Sequence, residues 1–204
     1  MQAERCNPGR ESRNDRCRWW QRRRKSRQIP FIPRSSLVLT NLQAAVLALK
    51  ARDEGLTGII GQVLNIPATC HPAHFPAEKY EYGSFAQNKN ATLVDAPKML
   101  WFWEQYIPST EQEKGKEAYA SPLLADDLSG LPPALIQVAG YDPLRDEGLA
   151  YGEALEAAGV KARVEAFKGL PHGFVFFTHL KEAREYIQNV VDFVNDVQKQ
   201  VGSR

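Results

Sequence analysis

The 204-residue sequence has little cysteine and no long apolar run. Its three cysteines, Cys6, Cys17 and Cys70, are too few and too scattered for the disulfide framework of a small secreted domain. No apolar stretch approaches the roughly 20 residues that cross a bilayer, and the arginine-rich start is not followed by the apolar segment of a secretory signal. These absences exclude a disulfide scaffold and a membrane-spanning helix. They predict a cytoplasmic protein, and the length of 204 residues predicts one main domain.

Charge is distributed unevenly along the chain. Residues 1–34 hold 11 Lys and Arg against 3 Asp and Glu, whereas the remainder holds 15 basic and 21 acidic residues. The basic part contains Trp19 and Trp20 but no periodic apolar face that could be buried. We expect residues 1–36 to form a disordered basic tail and residues 37–201 to be folded. A nucleic-acid contact through the arginines and indole rings is the disfavoured alternative.

Apolar periodicity in the folded part predicts alternating helices and strands. The order is α, β, α, β, α, β, α, which is typical of a parallel sheet joined by right-handed crossovers. The fold class is therefore α/β. The predicted segments are a helix that begins at Thr40 or Asn41 and ends at Gly55, a strand over 59–66, a helix over 95–106, a strand over 134–139, a helix over 146–158, a strand over 162–167 and a final helix marked by apolar residues from Ile187 to Val197.

Two polar residues follow predicted strands at the carboxyl end of the sheet. Asp142 comes after the strand over 134–139, and His172 comes after the strand over 162–167. A carboxylate there can hold an imidazole Nδ1–H and leave Nε2 to move a proton, in the order acid before histidine. Asp142 followed by Pro143 is also a good helix N-cap, and His172 could be an ordinary loop histidine, so the spacing alone leaves both alternatives open.

Three segments narrow these alternatives: 129–134 (SGLPPA), 140–148 (GYDPLRDEG) and 169–174 (GLPHGF). Together they resemble the hormone-sensitive-lipase-like branch of the α/β-hydrolases, the fold-3 esterases and arylacetamide deacetylases. Segments 41–45 (NLQAA) and 119–123 (YASPL) resemble that family as well. The resemblance covers residues 38–198 and implies that residues 37–201 are the C-terminal part of an α/β-hydrolase domain. It implies Asp142 as triad acid, His172 as triad base and a small-molecule ester as substrate.

The nucleophile of the family does not carry over. A Gly-Asp-Ser-Ala-Gly elbow precedes the first helix in the family, and an ungapped count back from Asn41 puts its serine at Leu37. Ser35 and Ser36 are close, but neither has the flanking glycines that the sharp turn requires. The His-Gly-Gly-Gly oxyanion segment is absent as well. We therefore expect either a truncated or misread sequence or a divergent protein, with an uncovered strand edge at 59–66 that favours self-association.

Two other groups of residues have competing interpretations. Cys70, His71 and His74 have residue types that suit zinc, but no second cluster completes four ligands, so we expect no metal site. The helix over 95–106 carries Met99, Leu100, Trp103 and Tyr106 on the side predicted to pack on the body. Its aromatic set, Trp101, Phe102, Trp103 and Tyr106, is most simply core, and the resemblance would also let it wall an acyl pocket.

Two functions follow from these predictions, neither of which requires a cofactor. The first is a carboxylic-ester hydrolase that acts through a serine acyl-enzyme, with Asp142 and His172 in the triad. The alternative is a catalytically inactive relative that binds a small ligand or a protein.

Overall fold

The computed structural model describes residues 37–40, by their backbone, and residues 43–202. The predicted tail over 1–36, including Ser35 and Ser36, lies outside these described residues. The strands are β1 (Leu37–Thr40), β2 (Ile59–Asn65), β3 (Ala134–Tyr141) and β4 (Ala162–Pro171). The α-helices are α1 (Gln43–Asp53), α2 (Ser84–Gln87), α3 (Ala96–Tyr106), α4 (Arg145–Ala157) and α5 (Lys181–Gly202), with short 3₁₀ turns at Pro72–His74, Ser109–Lys116, Pro122–Leu124 and Phe174–Phe176.

The four described strands form one parallel sheet in the order β1-β2-β3-β4. Every predicted helix and strand is present, and the predicted α/β fold class is confirmed. Residues on β3 alternate between the two sides of the sheet, and both sides are covered by helices. Because both sides are covered, the sequence of β3 is an almost continuous apolar run.

Helices α1 and α4 cover one face of the sheet, and α5 covers the other. Leu64 and Ile136 pack on the first face with Leu49 and Leu155, which are at most 1% exposed. Burial of each such side chain stabilises the fold by about 1.5–3 kcal/mol. The second face holds a smaller cluster in which two strand residues meet the last helix: Val63, Leu135, Phe193 and Val197.

The prediction of an uncovered strand edge at 59–66 is wrong. The backbone of β1 pairs in parallel with β2, from Leu37 opposite Ile59 to Thr40 opposite Val63. The sequence 37–40 (LVLT) is short and borders the basic segment, so its apolar and β-branched character was too brief to predict a strand. Because β2 is flanked by β1 and β3, it is an inner strand and offers no open edge for self-association.

The predicted packing face of α3 is also partly wrong. Met99 and Trp103 are buried as expected, but Leu100 is 50% exposed and Tyr106 is 64% exposed. Ala96, Met99 and Trp103 recur at the spacing of one helix face, and that face packs on the body. The other aromatic residues of the helix, Trp101 and Phe102, are more than half exposed and therefore do not belong to the core.

Candidate functional site

Asp142 begins the turn that links β3 to α4, and its side chain is 1% exposed. One carboxylate oxygen, Oδ1, accepts a hydrogen bond of 3.0 Å from the backbone N–H of Leu144, two residues further on. Such a bond is the usual way in which Asp stabilises a turn. The alternative role as N-cap is not observed, because α4 begins at Arg145 and the capping position is Leu144. The other oxygen, Oδ2, is directed to a different partner.

That partner is His172, which directly follows the last residue of β4. Its Nδ1 lies 2.8 Å from Asp142 Oδ2, and its side chain is 23% exposed. A carboxylate only accepts hydrogen bonds, so Nδ1 is the donor and Nε2 carries the free lone pair of the neutral ring. Nε2 has no hydrogen-bond partner among the described residues. The structure thus brings together both site residues predicted from the sequence, and the His172 side chain is partly exposed.

A bulge in the β3–β4 ladder aligns the two loops. The strands pair regularly as far as Ala139 opposite Phe167, and pairing then resumes at Tyr141 opposite Pro171, so β4 contains two extra residues. Gly140 fits this bulge because a Cβ there would lie 2.9 Å from the backbone nitrogen of Gly169. Pairing therefore resumes on the residues immediately before Asp142 and His172, and their side chains start from adjacent positions.

The turn over residues 142–144, which links β3 to α4 and is called the acid turn below because it carries Asp142, is held by a polar cluster that the sequence did not predict. The backbone N–H of Ser84 donates to Asp146 Oδ2 at 2.7 Å, and the Ser84 hydroxyl donates to the carbonyl of Pro143 at 2.8 Å. Arg145 Nε donates to Asp146 Oδ1 at 2.7 Å. The side chain of Asn88, just after α2, donates to the carbonyl of Asp142 at 3.0 Å. No local signal could reveal the contacts of Ser84 and Asn88, because their partners are more than 50 residues away in the sequence.

A second carboxyl group, Glu147, lies fully buried on α4. Its Oε1 accepts a 3.1 Å hydrogen bond from the backbone N–H of Thr69, whereas Oε2 has no partner within the described part of the chain. Burial raises the pKa of Glu147 well above its ordinary value; the Thr69 bond opposes this shift, and the charge of Asp142 adds to it. Burial therefore favours the protonated form of Glu147.

Cys70, His71 and His74 have local structural partners. Burial, with a smaller contribution from Glu147, raises the pKa of the Cys70 thiol to about 12. His71 Nδ1 accepts a hydrogen bond from the backbone N–H of Ala73, and its ring packs against Trp103 at 4.8 Å between centroids. His74 Nε2 donates to the carbonyl of Gln112 at 2.9 Å. These contacts give each imidazole a structural role in the loop that follows β2.

Comparison with known proteins identifies the family to which the chain belongs. A family model described as the alpha/beta hydrolase fold matches residues 41–176, so the chain belongs to that family. The resemblance to its hormone-sensitive-lipase-like branch is confirmed, because the curated relatives are esterases and carboxylesterases.

Three relatives illustrate the range of similarity. Esterase LipI of Mycobacterium tuberculosis (strain ATCC 25618 / H37Rv) is 40% identical over 132 residues, which are 65% of this chain and 39% of the relative. Ethyl acetate hydrolase of Pseudomonas putida is 33% identical over 132 residues, 64% of this chain and 39% of the relative. Among solved structures, the carboxylesterase EstE1 from a metagenomic library superposes with a TM-score of 0.67 at 34% identity, covering 76% of this chain and 50% of EstE1.

The chain spans about two fifths of the length of these curated relatives. In the described part of the chain, no helix combines the length and apolar character that a bilayer crossing requires.

Proposed function

We propose that this chain supplies the acid and base of a carboxylic-ester hydrolase, with His172 as general base and Asp142 as the residue that orients it. The observation that carries the proposal is the 2.8 Å hydrogen bond between a buried carboxylate and an imidazole at the carboxyl end of a parallel sheet. In open α/β sheets this end is where ligands bind. The names of the relatives, esterase and ethyl acetate hydrolase, support esters with small acyl groups as the substrate class.

The chemistry follows from the two nitrogen positions of His172. Asp142 holds Nδ1–H and stabilises the positive charge that develops on the ring. Nε2 takes the proton from a serine hydroxyl as the hydroxyl oxygen attacks the ester carbonyl, and then gives that proton to the departing alcohol. The same nitrogen next takes a proton from water as the water oxygen attacks the acyl-enzyme, and then gives that proton to the departing serine oxygen, which releases the carboxylic acid and restores the serine hydroxyl.

The sequence contains no recognisable elbow that could supply the attacking serine, since it has no Gly-x-Ser-x-Gly motif. Ser84 and Ser121 are buried, and their hydroxyls donate to the carbonyls of Pro143 and Gly115. In α/β-hydrolases the elbow is the turn from a strand to a helix. The chain runs from β1 directly into α1, but residues 37–43 contain no serine. We therefore infer that a complete site takes its serine from sequence other than these 204 residues.

A non-catalytic binding module is the second candidate. The absence of both the elbow and the His-Gly-Gly-Gly oxyanion segment favours it. Loss of a triad serine costs on the order of 10⁶ in turnover, and each lost oxyanion donor costs about 10² to 10³. Turnover at the level of a complete family member is therefore not expected from the chain alone.

A chimera separates the two candidates. The part of LipI that precedes its matched region, through its elbow, is joined to residues 41–204 of this chain and treated with a fluorophosphonate probe, which labels only activated serines. We expect one adduct per chimera, with rapid hydrolysis of p-nitrophenyl acetate, and no adduct on the 204-residue chain.

The matched control is the same chimera with His172→Gln, in which turnover should fall on the order of 10⁶-fold. A folded chimera that is not labelled would favour the binding module. A chimera whose labelling and turnover do not depend on His172 would contradict the proposed role of this residue.

A further inference from the structure

The position of the acid turn depends on Asn88, a residue outside every motif of the sequence. Asn88 follows α2 and is 5% exposed. Its Nδ2 donates to the carbonyl of Asp142 at 3.0 Å and makes a longer contact of 3.4 Å with the carbonyl of Gly140. A side-chain amide has two N–H donors, so one group can serve both carbonyls. These carbonyls flank Tyr141, the last residue of β3.

The bond lies where the backbone of β3 has left the regular ladder. Beyond Ala139 the register with β4 shifts, and the carbonyls of Gly140 and Asp142 need other donors. Arg145 donates to both carbonyls. Its backbone N–H lies 3.2 Å from the Asp142 carbonyl oxygen, and its Nη1 lies 3.2 Å from the Gly140 carbonyl oxygen. Asn88 adds a donor from a separate segment, so the acid turn is held from two directions.

The segment that carries Asn88 is itself anchored to the same turn. Ser84, four residues earlier, bonds to both Pro143 and Asp146, and the backbone N–H of Asn88 donates to the carbonyl of Ser84 at 2.9 Å. The amide of Asn88 therefore approaches Asp142 from a support of fixed position. Small displacements of a catalytic group, of the order of 1 Å, cost about 10²-fold in rate.

We propose that Asn88 is a positioning residue for the Asp142–His172 pair. It fixes the backbone of Asp142, and through it the carboxylate that holds His172 Nδ1–H. The consequence for catalysis rests on the proposed ester hydrolysis. The geometric statement does not, because it concerns a hydrogen bond within the 204-residue chain.

The test is the proton NMR signal of His172 Nδ1–H in the ¹⁵N-histidine-labelled full chain, assigned by its loss in His172→Gln. We expect Asn88→Ala to move this signal upfield or to remove it through faster exchange with water. The matched control is Asn189→Ala, which also removes a buried amide, here one bonded to Gln137 at 3.1 Å beneath α5. This control should leave the signal in place.

Circular dichroism verifies that both variants are folded. If Asn88→Ala fails to fold, the pair Asn88→Leu and Asn189→Leu fills the space and gives the same comparison. An unchanged signal in the Asn88 variants, or an equal change in the Asn189 variants, would overturn the positioning role. The chimera described above adds a separate readout, since Asn88→Ala should lower kcat by about 10-fold to 10²-fold with little change in KM. Failure of the chimera to hydrolyse esters would contradict the proposed function and leave the NMR result to decide the role of Asn88.

Discussion

Asp142 and Glu147 lie on one segment between β3 and the middle of α4, and both carboxyl groups are buried, yet their surroundings differ. Both oxygens of Asp142 accept hydrogen bonds, from Leu144 and from His172. Glu147 has a single bond, from Thr69, and an oxygen without a partner among the described residues. Burial alone therefore does not prepare a carboxyl group for chemistry. The hydrogen-bond partners around it decide whether it can orient an imidazole.

The largest expected difference is in turnover. In the active chimera, Asp142→Asn should lower kcat by about 10⁴-fold, because an amide in place of the carboxylate leaves His172 in the wrong tautomer. Glu147→Gln is the matched control, since it makes the same chemical change on the same segment, and its kcat should stay within a few-fold of the parent. Steady-state hydrolysis of p-nitrophenyl acetate measures both. Equal losses in the two variants would remove the distinction between the carboxyl groups.

A second difference concerns the dependence of stability on pH. Because the pKa of Glu147 is raised in the folded state, the folded chain keeps a proton that the unfolded chain loses above about pH 4.5. Stability from this group is fully present below the unfolded-state pKa and is lost as pH rises toward the folded-state pKa. The slope is at most about 1.4 kcal/mol per pH unit.

Glu147→Gln has no such proton, so its free energy of unfolding relative to the parent should increase between pH 5 and pH 8. Urea unfolding of both proteins at several pH values measures the difference. If the free energies of unfolding of the two proteins differ by a constant amount across this pH range, Glu147 is ionised in the folded chain.

The smallest expected effect comes from the glycines beside the two carboxyl groups. Gly140→Ala would place a Cβ 2.9 Å from the backbone of Gly169, so the strands must move apart, and the free energy of unfolding should fall by about 1–3 kcal/mol. Gly148→Ala, next to Glu147, meets the Val138 side chain at 2.7 Å but gains up to about 1 kcal/mol of helix propensity.

We therefore expect the Gly140 variant to lose more stability, as urea unfolding would show. We also expect only the Gly140 variant to disturb the His172 Nδ1–H signal. A larger loss in the Gly148 variant would mean that the bulge tolerates a side chain.

The elements that hold the site were predictable from the sequence, because their periodicity and end signals are local. The strand over 134–139 and the helix over 146–158 correspond to β3 and α4, and Asp142 and His172 were located by their positions after strands. Two local predictions were wrong. The strand β1 was missed because four residues carry little periodicity, and Tyr106 was assigned to the packed face of α3 although it is exposed.

The polar groups around the site could not be predicted for a different reason. The bond from Asn88 to Asp142 joins residues 54 positions apart, and the bond from Thr69 to Glu147 joins residues 78 positions apart. Nothing in the local sequence of a four-residue helix such as α2 indicates which distant carbonyl its flanking side chains will reach. Asp142 could therefore be proposed as the acid from the sequence, whereas the contacts that support its turn are a property of the tertiary fold.

The most direct test of the Asp142–His172 pair uses the 204-residue chain itself and requires no turnover. The proton NMR spectrum of the ¹⁵N-histidine-labelled protein should contain a low-field Nδ1–H signal from His172 that disappears in Asp142→Asn and persists in Glu147→Gln. A signal that survives in Asp142→Asn, or one that was never present in the parent, would contradict the pairing of this carboxylate with this imidazole.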